Sequence, residues 1–205
     1  WNTALQADYD QVAQRCQRVM DLITAADRVT ITTPSGTDVS FDIEPSYYIQ
    51  DTGLIHAPGV FGNLPAGETF GAPIGMDGKI VVDHFPYAPS GTLIEVEDNH
   101  VTAIEHPGDS HSELAESFET IENARHIAEF GVGTNPAATL IGNMLQDEKV
   151  YGTVHIAFGD NSSMVPDDNP HQNQSDLHVD TVCEYPTVHL DDTLIIDAGD
   201  PVFMD

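Results

Sequence analysis

Positive charge is the scarcest commodity in this chain: 205 residues carry six Lys+Arg against 34 Asp+Glu, a formal net charge of -28. A basic footprint for nucleic acid is therefore missing, and so is the attraction that an anionic membrane surface requires. Cysteine is almost as rare. Cys16 and Cys183 stand far apart without metal-ligand spacing, which excludes a disulfide framework or a zinc knuckle and suits a reducing, cytoplasmic setting. No apolar run reaches transmembrane length and no signal peptide precedes the first element.

Apolar residues are not scarce. They make up 40% of the chain, enough for a core and too many for intrinsic disorder. An acidic shell around such a core points to a folded domain tuned to high salt, a halophilic protein, because screening shortens to about 3 Å at 1 M and suppresses self-repulsion.

Periodicity places the elements. Leu5, Tyr9, Val12, Cys16, Val19, Met20 and Ile23 recur at helical spacing and predict a helix from Thr3 to Ala26, with Thr3 as N-cap. Strands are expected at Val29 to Thr33 and Val39 to Ile43 around the turn Pro34-Ser35-Gly36-Thr37. Asp77-Gly78 reads as a hairpin turn into a strand Lys79 to His84, and Thr92 to Glu97 pairs with His100 to Glu105 around Asp98-Asn99. An amphipathic helix is expected from Ser110 to His126, then a strand from Ile127 to Phe130 and a helix from Ala137 to Leu145. Tyr185 to Leu190 and Thr193 to Ile196 close a second meander. The fold class is α+β: mostly antiparallel β-meander sheets with about three helices, and a site at strand ends and loops.

Four places in this frame carry chemistry. Tyr151 to Phe158 is a β-branched and aromatic run, so His155 sits inside a largely buried strand. His178 and Asp180 project from one face of an extended chain, roughly 7 Å apart. With a third ligand they form a metal site; alone they are a surface hydrogen bond, and spacing does not decide between the two. Pro65 and Gly67 bend the backbone just before Glu68, which holds a carboxylate at a fixed angle or merely shapes a loop. Glu129 lies between Ala128 and Phe130, where burial demands a cation or strong donors. Gly131-Val132-Gly133 lacks the spacing of a nucleotide loop. Lys149, one of two lysines, pairs with Glu148 or with substrate, and a plain surface salt bridge is the favoured reading. His56, His84, His100 and His106 read as solvent-facing, and His171 lies in a loop from which it could approach the site.

Asn63 to Pro73, Ala128 to Pro136, the run Asp147-Glu148-Lys149 with Gly152 to Gly159, and His178-Val179-Asp180 together resemble, in order, motifs of the aminopeptidase T family of metallo-aminopeptidases. The resemblance implies a two-metal exopeptidase, a homodimer, in which Glu68, Glu129, His155, His178 and Asp180 hold two divalent ions of zinc, cobalt or manganese. It also implies that the chain is the metal-bearing catalytic half of a longer protein, lacking most of an amino-terminal domain. A metal-activated water would cleave peptides with a free N-terminus, with Glu68 shuttling the proton. The family's tyrosine after the first histidine is absent, and Asp160-Asn161-Ser162-Ser163 stands there instead. The alternative is a non-haem Fe(II) ring-cleaving dioxygenase of the dihydroxypyridine type, a relative of that architecture, using His155, His178 and Asp180 as two histidines and one carboxylate. A non-catalytic acidic module would leave the five residues scattered.

The surface charge yields the first test. The melting temperature is expected to climb from about 0.1 M to about 3 M potassium chloride as the Debye length shrinks from about 10 Å; a flat or falling curve would contradict a salt-adapted shell.

Overall fold

The computed structural model describes residues 3–204. In chain order the elements are α1 (Tyr9–Thr24), β1 (Arg28–Thr32), β2 (Asp38–Asp42), β3 (Tyr48–Asp51), β4 (Glu68–Gly71), β5 (Ile74–Val81), β6 (Leu93–Glu97), β7 (His100–Glu105), α2 (Glu113–Thr120), β8 (Ile127–Gly133), α3 (Met144–Asp147), β9 (Val154–Gly159), β10 (His178–Cys183), β11 (Thr187–Leu190), β12 (Thr193–Asp197) and β13 (Asp200–Pro201). The class is α+β with antiparallel sheets, as expected. No helix of the described residues is long and apolar enough to cross a membrane.

Eight strands form one sheet in the order β13-β12-β11-β1-β2-β5-β6-β7, and five form another in the order β10-β9-β8-β4-β3. The sheets face one another across a single core. Val29, Ile31, Phe41, Ile80 and Ile94 come from the larger sheet; Phe130, Val132, Ile156 and Phe158 come from the smaller. The rings of Phe41 and Phe130 meet with centroids 5.0 Å apart and so tie β2 to β8. Helix α1 packs its buried residues Val12, Cys16, Val19 and Ile23 against β3 and β4.

Several boundaries differ from the sequence expectation, each for a local reason. Asp8, not Thr3, caps the first helix by accepting from the Gln11 amide, and Ala4–Gln6 is a separate 3-10 turn. Ser112 caps α2 through the Ala115 amide, and Ile121 ends it by turning extended. The helix expected over 137–145 shrinks to the single turn of α3: the Asn135 side chain accepts from the Ala137 amide, and Gly142 takes φ 78, both of which divert the backbone. Asp77-Gly78 is no hairpin. It lies within β5, because that strand pairs with β2 and β6 on either side and Gly78 meets Val39 where a Cβ would lie 2.1 Å from the Asp38 carbonyl oxygen. The turns at Asp98-Asn99 and Asp191-Asp192 do form, with positive φ at Asp98, Asn99 and Asp191.

The Phe41 contact supplies a stability test. Phe41→Ala removes a fully buried ring between the sheets and is expected to cost about 3–5 kcal/mol, read from denaturant unfolding at constant high salt; a loss below about 1 kcal/mol would mean that the sheets are not joined there.

Candidate metal centre

One face of the smaller sheet points into the core and the other carries the polar cluster. On β9 strict alternation sends Val154, Ile156 and Phe158 to the core and His155 to the far face. On β8 alternation alone fails, since Ile127 and Phe130 are both core residues. A register shift between Ile127 and Glu129 inserts Ala128 as an extra residue, and this bulge turns Glu129 to the His155 side. Register then aligns Glu68 with Gly133, and Asp180 with Ala157 beside His155. His155 needs one further concession from β8. Its ring lies over Gly131, where a Cβ would sit 2.0 Å from Nε2.

All five residues singled out from the sequence are gathered here. Glu129 stands at the centre, with Oε1 3.1 Å from His155 Nε2 and Oε2 3.5 Å from His178 Nε2. Glu68 Oε2 is 3.4 Å from His155 Nε2, and Asp180 Oδ2 is 3.8 Å from His178 Nε2. Donor atoms of Glu68, Glu129 and His155 lie within 4.8 Å of one another, as do those of Glu129, His178 and Asp180. His155, Glu68, Glu129 and Asp180 are buried, and His178 opens to the surface with 38% of its side chain exposed.

Lys149 corrects the sequence reading. It is fully buried, and its Nζ donates to Glu68 Oε1 at 2.7 Å and also to Glu148 Oε1. Its rarity was the available signal, masked by a Glu-Lys neighbour pair that looks like ordinary surface. His84 is corrected too: it bonds Asp147 at 2.9 Å and is part-buried. His126, missed altogether, is buried beside Asn161 and set edge-on to His100. His171 faces Tyr47 and joins neither donor group.

The electrostatics ask for positive charge. Burial raises the carboxyl pKa of Glu68 to about 8, and those of Glu129 and Asp180 to about 7. Burial lowers that of Lys149, yet Glu68 and Glu148 outweigh it and hold the ammonium above its usual value. His178 Nδ1 donates to the Asp160 carbonyl at 2.7 Å, so the neutral ring turns the Nε2 lone pair toward Glu129 and Asp180. Only a proton or a metal ion can sit favourably between them. Glu68 Oε2, Asp180 Oδ1 and His155 Nδ1 are buried without a hydrogen-bond partner. A donor set of imidazoles and carboxylates with orphaned oxygens fits a divalent transition metal.

Fold and centre together define a protein of paired antiparallel sheets with a buried cluster that could hold a metal ion. Residues 5–203 match the family described as NicX, 2,5-dihydroxypyridine 5,6-dioxygenase, and the chain belongs to that family. Among solved structures, the 2,5-dihydroxypyridine dioxygenase of Pseudomonas putida KT2440 shares the fold at a TM-score of 0.78 and 19% identity, over 97% of this chain and 61% of that one. The chain thus spans less than two thirds of that relative's length. No curated protein matches it. The family match overturns the likeness to aminopeptidase T, and with it the hydrolase activity and the peptide substrate. The quoted motifs do not by themselves separate the two families; the segment after His155, which lacks the aminopeptidase tyrosine, is where the chain departs from that pattern.

The raised carboxyls make a pH test. A carboxyl whose pKa rises on folding holds its proton more tightly when folded, so it stabilises the acid side and that stability is lost as pH rises through its folded value. His178, also raised against the burial that lowers it, by Asp180 and Glu129, acts in the same sense. His126, lowered to about 4 mainly by burial, acts oppositely but only below about pH 6.5. Metal-stripped protein at constant high salt is therefore expected to melt at lower temperature as pH goes from about 6.5 to about 8.5, with saturating divalent metal flattening the slope. A rising melting temperature over that window would refute the assignment.

Proposed function

We propose that the protein is a ring-cleaving dioxygenase acting on dihydroxylated pyridines, with a single ferrous ion held by His155, His178 and Asp180. The observation that carries this reading is the family match across residues 5–203. Two imidazoles and one carboxylate are also the donor set of non-haem iron oxygenases. His178 offers the Nε2 lone pair that its Asp160 bond leaves free, and Asp180 offers an Oδ1 that has no other partner. Ferrous iron, when bound, supplies the electron-transfer chemistry that dioxygen needs to react with an aromatic ring.

The chain's own groups do the remaining work. The Asp160 carbonyl fixes the tautomer and orientation of the His178 ring, the usual service of a partner behind a ligand. Gly131 leaves room for the His155 ring. Glu129 touches both imidazoles and carries a carboxyl raised to about 7, chiefly by burial, so it is poised to take the proton of a ring hydroxyl near neutral pH. Burial of Glu129, His155 and Asp180 keeps water from competing for those positions. The two cysteines, both buried and free, support a reducing cytoplasmic location.

Anaerobic loading with Fe(II), followed by 2,5-dihydroxypyridine and oxygen, is expected to give stoichiometric oxygen uptake with loss of the ring absorbance. Glu129→Gln is expected to lower turnover by about 10²–10⁴-fold with iron retained, and His178→Ala or Asp180→Ala to lose the iron. Iron-loaded protein that consumes no oxygen with any dihydroxypyridine would defeat the proposal.

A further inference from the structure

We propose that the corner between β10 and β11 is a small-molecule site apart from the metal centre. There the Tyr185 ring and the carboxylates of Asp83 and Glu184 hold a compact organic cation of the methylated-ammonium class. The chain passes here from the smaller sheet to the larger, and Tyr185 turns it at φ 52. That conformation is unfavourable twice over, because a bulky side chain avoids the left-handed region and the residue before a proline, here Pro186, prefers extended backbone. A glycine would turn the same corner without strain. The tyrosine is therefore explained by what its ring does, not by the turn. The ring is 64% exposed and its surroundings hold it out. The Glu184 amide donates to Asp83 Oδ2 at 2.9 Å, the Gly199 amide donates to the Pro186 carbonyl at 2.9 Å, and a Cβ on Gly199 would lie 3.1 Å from the Tyr185 Cα.

Two cavities, of about 240 Å³ and about 200 Å³, share Glu184 and Tyr185 as a common wall. The first adds Asp83 with Ser35 and Ser90, and the second adds the apolar side chains of Leu140, Val150 and Tyr151. None of the five clustered donors lines either cavity. Asp83 and Glu184 form no ion pair among the described residues, so an exposed aromatic ring, two uncompensated carboxylates and an apolar wall meet at one place. An anion is repelled by that set. A methylated ammonium lays its methyl groups on the ring and the apolar wall and keeps its charge within reach of the carboxylates. The same chemistry operates next door. The Arg15 guanidinium lies over the Tyr151 ring, 5.3 Å from its centroid, yet Arg15 lines neither cavity and leaves the Tyr185 ring free. Contacts made at touching distance are screened by salt less than the scattered surface charges are.

The inference depends neither on the metal centre nor on the reaction assigned to it. The test is titration of the full chain with choline chloride at constant high ionic strength, followed by calorimetry and ligand-observed NMR, beside the uncharged analogue in which carbon replaces the nitrogen. Saturable binding of choline is expected for wild type, with the analogue clearly weaker. Tyr185→Trp should hold choline at least as tightly, and Tyr185→Leu should weaken it about 2–30-fold, the span of a cation–π contact. Tyr185→Gly is expected to lose binding while melting no lower than wild type, since glycine relieves the corner. No saturable binding to wild type, an analogue that binds as tightly as choline, or unchanged binding to Tyr185→Leu would overturn the inference. A clearly lower melting temperature for Tyr185→Gly would make the ring part of the corner's architecture and overturn it too. So would self-association of wild type that Tyr185→Gly abolishes, which would assign the ring to a second copy of the chain. Should Tyr185→Leu not fold, Glu184→Gln decides: weaker choline binding is expected, and undiminished binding counts against the site.

Discussion

Buried carboxylates that demand compensation are the constraint around which this molecule is built. β4, β8 and β10 each deliver one to the same sheet face, and each would cost several kcal/mol if left unpaired. The remaining local features near the site keep those groups at fixed separations rather than letting them escape to solvent. The bulge at Ala128 aims Glu129, the bare Cα of Gly131 admits the His155 ring, and the Phe41–Phe130 contact holds the strand from behind. A cluster so confined either stays protonated or acquires cations.

Burial alone does not mark a functional carboxylate here. Asp147 is as inaccessible as any, yet its oxygens accept from the Ile141 amide and meet the His84 ring, so it is spent on architecture. Asp51 accepts from the Asn63 amide and frames the approach to β4. Glu68 and Asp180 differ because each keeps one oxygen with no partner. Most of the other acidic residues lie on the outside.

Strand alternation made part of this legible from the sequence. The apolar run around His155 can bury its flanks only by sending the imidazole to the opposite face, and the two meanders announce themselves by their turn residues. Three things were hidden. Asp77-Gly78 has turn chemistry, but pairing on both sides overrides it. The single-residue bulge that turns Glu129 is a register event, visible only once β9 is alongside. Lys149 follows Glu148 as a surface ion pair would, and nothing local reveals that Glu68, far away in sequence, waits for its ammonium. The family was hidden for a related reason, since the motifs around the clustered residues do not by themselves separate it from aminopeptidase T.

The nature of the charge opposite Glu68 carries that distinction into chemistry. An ammonium and a divalent ion can neutralise the same carboxylate, but they are not equivalent catalysts. A metal ion can bind a water, lower its pKa and polarise a carbonyl, and paired ions can clamp both ends of a hydrolytic displacement. An ammonium has three donors and no vacant coordination position. Lys149 neutralises one oxygen of Glu68, while the other, turned toward His155, keeps no partner. The His178 end of the cluster is the one that opens to the surface, so an incoming ion meets that imidazole first.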